Sequence, residues 1–193
     1  MEFLSEITNT KNSLNVESLC ASLEVLCNND NMIDVLSSMH EIQLIKFIEQ
    51  IFNIYKSKNS KKYFVYSEKI VNEIIKLINP WATPYISDIL SNIMNNSERF
   101  QKEYAYLAYK TLIEKNPSQI KICMPTLIPM ISFDVNDINK GVKKNASEVL
   151  ELILNCSGNN DLTNFIPVVL KGLKDPTTIY ECVEALASCV FVQ

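Results

Sequence analysis

A chain of 193 residues, 47% hydrophobic and 21% charged, holds enough apolar side chains for one well-packed domain. Its formal charge of −4 excludes a generic polyanion binder, and its three glycines, Gly141, Gly158 and Gly172, are too scattered to build a phosphate-cradling loop. That argues against a nucleotide-binding enzyme, and no cofactor or small-molecule substrate is expected.

In chain order, the opening MEFLSEITNTKNS is polar and lacks the apolar core of a signal peptide. A cytoplasmic location without a membrane partner is the expectation, and residues 1–12 read as a flexible lead. Helical stripes over Ser13–Cys27 and Met32–Met39, joined at Asn28-Asn29-Asp30-Asn31, read as a degenerate capping repeat, 13–39. Glu41–Lys56 then pairs with Tyr63–Ile78 across a loop from Ser57 to Lys62, and Asn79-Pro80 stops the second helix. Pro84–Met94 pairs with Glu98–Lys115, with Ser97 as an N-cap and Asn116-Pro117 as the stop. Over Met124–Leu154 the reading is a short helix opened by Pro125, kinked or restarted at Pro129. A turn bearing Asp134 and Asp137 follows, then an amphipathic helix with Val142, Ala146, Val149, Leu150 and Ile153 on one face. The most apolar run, Ile120 to Phe133, is too short to span a bilayer. Asp161–Leu173 and Thr178–Val192 close the chain around Asp175-Pro176. Four repeats, 41–79, 83–116, 120–156 and 161–193, thus follow the cap within a single domain, 1–193.

The repeat has a period. Ile51, Ile89, Leu127 and Phe165 lie 38 residues apart, and so do Tyr55, Ile93, Ile131 and Val169. On the second helices Ile70, Ala108 and Ala146 keep the step, as do Ile74, Leu112 and Leu150. In the last unit Ile179, Val183, Leu186, Ala187 and Val190 repeat the stripe with the register one residue shorter. A helix pair of about 40 residues is the period of HEAT or armadillo arrays, against about 34 for tetratricopeptide repeats. The predicted fold is all-α, a right-handed α-solenoid of about five HEAT-like helix pairs.

Catalytic and metal-binding residues are not expected. The six cysteines show no zinc spacing, and Cys20/Cys27 and Cys182/Cys189 sit seven apart, which suits buried reduced thiols. His40, the single histidine, stands at a helix boundary with no nameable nucleophile, so capping or surface placement is expected. Trp81 is expected to pack between repeats rather than stack on a base, and Tyr104, Tyr106 and Tyr109 to pack in the core.

Several stretches together carry a resemblance: Met124-Pro-Thr-Leu-Ile-Pro, Val142-Lys-Lys-Asn-Ala146, Asn164-Phe-Ile-Pro167, Gly172-Leu-Lys-Asp-Pro-Thr177, Thr178-Ile-Tyr-Glu181 and Val190-Phe-Val192. With Ile78-Asn79-Pro80 upstream, their order and spacing resemble the N-terminal HEAT domain of fungal-type translation elongation factor 3. The HEAT region of the general-control activator that senses stalled ribosomes is also similar. The resemblance implies a platform on the small-subunit head of the ribosome, near the exit-site tRNA path. It places the family's ATPase work in two ABC cassettes further along the polypeptide, none of which this stretch contains. The expected function is therefore a non-catalytic ribosome-docking module, with small-subunit rRNA or proteins as partner.

Periodicity supplies a candidate docking surface. Turns inside the helix pairs align along one edge, and they and their flanks hold Lys56, Lys58, Lys61, Lys62, Arg99, Lys102, Lys140, Lys143, Lys144, Lys171 and Lys174, 11 of the 18 basic residues. All but Lys56 are taken as the candidate edge. Its chemistry would be sequence-independent, salt-sensitive contact with phosphates. Glu98, Glu103, Asp134, Asp137, Asp175 and Glu181 share these segments, and Asp134 or Asp137 is expected to hydrogen-bond along the turns. The apolar finish, Ala185 to Gln193, predicts a protein partner or self-association there. Two alternatives stand beside the ribosomal one: a protein–protein scaffold of the importin or phosphatase-regulator type, and a truncated remnant of an ATPase whose cassettes act in trans.

Overall fold

The structure, a computed structural model, describes residues 16–56, 58–95, 98–156 and 166–190. The flexible lead, Ser97 and the stretch around Phe165 lie outside the described residues. Those described form helices and no strands: α1 (Val16–Cys27), α2 (Met32–Ser37), α3 (Glu41–Ile51), α4 (Phe64–Leu77), α5 (Thr83–Asn95), α6 (Arg99–Lys115), α7 (Pro117–Asp134), α8 (Lys140–Cys156), α9 (Ile166–Gly172) and α10 (Ile179–Val190). α3/α4, α5/α6, α7/α8 and α9/α10 pair, and α1 and α2 both pack on α4, giving an all-α solenoid.

The 38-residue step marks the core. Ile51, Tyr55, Leu127 and Ile131 are buried, and so are Ile70, Ala108, Ala146, Ile74 and Leu112, while Ile89, Ile93 and Leu150 on the same step are half-buried. Neighbouring units share one apolar interior because the second helices α4, α6 and α8 stand in a row, each packed on the next. The first helices α5 and α7 pack likewise. Between the second and third units, the 3-10 turn Phe52–Lys56 takes this role by packing on α6. Gln101 fastens that joint, its Nε2 donating to the Phe52 carbonyl at 3.0 Å.

The segment expected as a loop after Lys56 contains a second 3-10 turn, Lys58–Tyr63, leading directly into α4. Prolines mark the boundaries between units. Asn79 Oδ1 accepts from Trp81 N–H and opens a short 3-10 turn, while Pro117 occupies the first turn of α7, where its missing N–H costs nothing. His40 caps α3: its Nδ1 accepts from Ile42 N–H at 3.3 Å, and Gln43 Oε1 accepts from the His40 N–H. Asn31 stands at the cap of α2 without a side-chain capping bond; Asn29 Oδ1 accepts its N–H instead.

Three expectations are corrected. First, α7 begins at Pro117 and runs through Pro125 and Pro129 as one helix. Both prolines lie on its exposed side, away from the packed interior, where an interrupted backbone bond costs least. On the opposite side, burial of Ile120, Met124, Leu127, Ile128 and Ile131 holds the helix together. Second, Trp81 is 75% exposed and Tyr85 69% exposed, so neither packs between units. The 3-10 turn Pro80–Ala82 swings the indole outward while Thr83 and Ile86 take the core positions. Third, Ile179 and Val183, placed on the buried stripe of α10, are exposed. There the close approach is between Cys182 and Gly172, where any Cβ on Gly172 would strike the thiol, so α10 turns Cys182 inward.

Cys20, Cys27 and Cys123 are buried free thiols and Cys156 and Cys182 half-buried ones; burial pushes the Cys27, Cys123 and Cys182 thiols up. No helix among the described residues is long and apolar enough to cross a membrane.

Candidate functional site

The edge built by the turns is not a uniform row of free lysines. Its tightest element points inward. Asp134, at the end of α7, is 2% exposed; its Oδ1 accepts from Lys102 Nζ at 2.8 Å and its Oδ2 from Tyr106 Oη at 2.8 Å. Lys102 and Tyr106 stand four apart on α6, which sets both on one helix face. Burial first, and the Asp134 carboxylate second, hold the Tyr106 phenol far above its usual range. Asp137 stays at the surface of the same turn, where its Oδ1 accepts from Asn139 N–H at 2.7 Å and its Oδ2 lies 4.0 Å from Lys102. Both aspartates thus brace the turn. Lys102, with its side chain only 21% exposed, joins the third unit to the fourth.

The remaining basic residues fall into groups. Lys61 Nζ lies 4.8 Å and Arg99 Cζ 5.6 Å from the centroid of the Phe100 ring, so adjacent units place two cations on one aromatic. Arg99 also meets Glu103 Oε1 at 2.9 Å, and the Glu103 carboxylate lies so close to Gly141 that a Cβ there would displace it. Arg99 and Lys140 line one hollow of about 430 Å³ with Asp137, Ile138 and Asn139. Asn139 Oδ1 is buried without a hydrogen-bond partner. Lys61, Arg99 and Lys140 consequently follow one another across three successive helix pairs.

Lys62 Nζ sits 4.6 Å over the ring of Tyr63, whose hydrogen bond raises its pKa; Lys58 opens the 3-10 turn that precedes it. Lys143 reaches Glu181 at 3.6 Å and Lys144 reaches Glu148 at 3.8 Å. Glu148 also accepts from Lys110, whose hydrogen bond lowers the carboxyl pKa first. Lys171 and Lys174 line a separate, largely apolar groove between the fourth and fifth units.

Sequence reasoning missed the polar joints behind this edge. Tyr109 Oη donates to the Ser87 carbonyl at 2.7 Å and lies 2.9 Å from Ser91 Oγ, inside the core. Lys115 Nζ donates to the carbonyls of Ile75, Lys76 and Ile78 and so closes the C-terminus of α4; burial lowers its pKa. The signals were Ser87 and Ser91 at core-facing positions four apart, and a lysine at a helix end one unit beyond another.

Stacked helix pairs with a buried carboxylate bracing a turn between them define a HEAT-type repeat array. The chain belongs to the EF3 N-terminal HEAT repeat family, whose model matches residues 1–150. It is 27% identical over 158 residues to elongation factor 3A of Saccharomyces cerevisiae, covering 81% of this chain and 15% of that protein. It is 26% identical over 194 residues to elongation factor 3 of Eremothecium gossypii, covering 99% and 18%. With elongation factor 3 of Phytophthora infestans it shares 33% over 121 residues, 62% and 12%. The chain therefore spans less than a fifth of the length of these relatives. Among solved structures, a crystal structure of an engineered protein matches 98% of this chain and 80% of its own at a TM-score of 0.56, with 14% identity, a likeness of fold alone.

Proposed function

We propose that this chain is a non-catalytic, cytoplasmic docking module of translation that holds ribosomal RNA through phosphate contacts. The observation that supports the reading is the row Lys61, Arg99 and Lys140, which crosses three helix pairs on the turn edge. Lys62 extends it; Lys143 and Lys144 flank it, each beside one carboxylate as Arg99 is beside Glu103, whereas Lys102 is engaged within the protein and contributes less. Phosphate contact fits charges held on a rigid helical scaffold, because the contacts fix position without reading bases. At the C-terminal end, the exposed Ile179, Tyr180 and Val183 of α10 offer an apolar contact for a protein partner or a second copy.

Co-sedimentation of the purified chain with ribosomes across a salt series tests the docking. The bound fraction should fall steeply as salt rises. Reversing Lys61, Arg99 and Lys140 together to glutamate should flatten the log–log salt slope by about 2, from about 0.7 per single-strand phosphate contact. Salt-independent binding, or a triple variant that binds like the parent, contradicts the proposal.

A further inference from the structure

Trp81 and Tyr85 belong neither to the core nor to the RNA-facing row. Trp81, Tyr85 and Asp88 fall at offsets 0, 4 and 7, one outer stripe at the start of α5, and all three are exposed. Thr83, Ile86, Ser87 and Leu90 take the inner stripe. The turn that presents the indole is pinned from both sides. Glu41 Oε1, from the preceding unit, accepts the Asn79 N–H at 2.7 Å, and the Asn79 carbonyl accepts from Ala82 N–H at 2.9 Å. Pro80 fixes one further backbone angle, so little ordering cost remains for binding.

The chemistry of this stripe selects a cation. Among the described residues neither ring is stacked on another aromatic or covered by a cation, whereas the rings of Tyr63 and Phe100 are. Asp88 makes no hydrogen bond or ion pair among the described residues, and so none with Lys121, half-buried on the adjoining α7. The other lysines of this joint are committed: Lys115 to the carbonyls of Ile75, Lys76 and Ile78 and to the field of Glu41, and Lys76 to Glu73 at 2.7 Å. Two open π faces beside such a carboxylate attract positive charge and repel phosphate. Arginine fits better than lysine, because its flat guanidinium stacks on rings, is more weakly hydrated and meets a carboxylate side-on.

We propose that Trp81, Tyr85 and Asp88 form a docking site for an arginine side chain on an exposed segment of a partner protein. The guanidinium lies against the two rings and donates to the Asp88 carboxylate. From Tyr85 to Asn95, at the far end of α5, is about 15 Å, and Arg99 of the RNA-facing row follows there. The two sites are therefore separate.

Trp81 is the only tryptophan of the chain, so intrinsic tryptophan fluorescence reports on this site alone. The whole chain is titrated into the millimolar range with a glycine–serine peptide bearing one arginine. A second peptide carries citrulline instead, which keeps the shape and lacks the charge. The arginine peptide should shift the emission saturably, and the citrulline peptide should bind about tenfold more weakly or worse. Asp88→Asn and Tyr85→Ala should each weaken the arginine peptide by about threefold and together by about tenfold. Asp34→Asn, the same charge loss on the exposed side of α2, should leave it unchanged. Circular dichroism on each variant establishes that the helices persist. No saturable shift with the arginine peptide, equal binding of the citrulline peptide, or equal weakening by Asp34→Asn and Asp88→Asn overturns the proposal. Tighter binding of a single-stranded oligouridylate at Trp81 would make a base the occupant and overturn it equally. The peptide arms contain no RNA, so this proposal and the ribosomal reading fail separately.

Discussion

Replacing Asp134 by alanine should be among the most damaging single changes to the polar framework. The substitution strips the buried Tyr106 hydroxyl of its acceptor and leaves the Lys102 ammonium, one-fifth exposed, without its near counter-ion. An orphaned buried hydroxyl costs about 1–3 kcal/mol, and breaking a buried ion pair from one side costs about 3–5 kcal/mol. Access of Lys102 to water lowers the second figure, so about 3 kcal/mol in total is expected, or a fall of about 6–12 °C in Tm for a chain of this size. Urea unfolding followed by circular dichroism measures the loss. Tyr106→Phe alone should cost about 1 kcal/mol, and combined with Asp134→Ala it should add almost nothing, since the hydroxyl it removes already lacks a partner. A cost for Asp134→Ala below about 1 kcal/mol, or strict additivity with Tyr106→Phe, would refute the reasoning.

Other outcomes follow from the same geometry. Burial raises the Tyr55, Tyr106 and Tyr109 pKa values in the folded chain, so the unfolded chain loses these protons first as pH rises. Their contribution is fully present below about pH 10 and declines above it, by up to about 1.4 kcal/mol per pH unit for each phenol, readable as tyrosinate absorbance that appears only with unfolding. Lys115→Met should cost about 1–2 kcal/mol by leaving the carbonyls of Ile75, Lys76 and Ile78 unmet, with α4 losing amide-exchange protection at its C-terminal turn first. Native alkylation should spare Cys27 and Cys123, buried thiols with raised pKa, and reach Cys156 sooner; rapid modification of Cys123 would contradict the packing of α7.

The array was legible wherever burial repeats. Ile70, Ala108 and Ala146 announce their step because three equivalent helices press equivalent positions into one core. The prolines of α7 misled because a proline's local effect depends on which side of the helix faces water, and that side is set by neighbouring units. Trp81 misled for a related reason: large apolar residues are buried on average, yet a three-residue turn rotated this one outward. The turn lysines could be counted but not sorted. Whether a lysine is free depends on acids brought near from tens of residues away, as Asp134 is to Lys102 across 32 positions.

The second-helix row carries a consequence for how the molecule deforms. Thr111 to Asn72, Lys115 to the end of α4, Lys110 to Asn145, and Asn145 to the Glu103 carbonyl all tie one second helix to the next. Directional bonds resist stretching, so these second helices keep their spacing. The array therefore behaves like a book bound along its second helices, and a pull on the turn edge of one unit is carried to its neighbours through that spine.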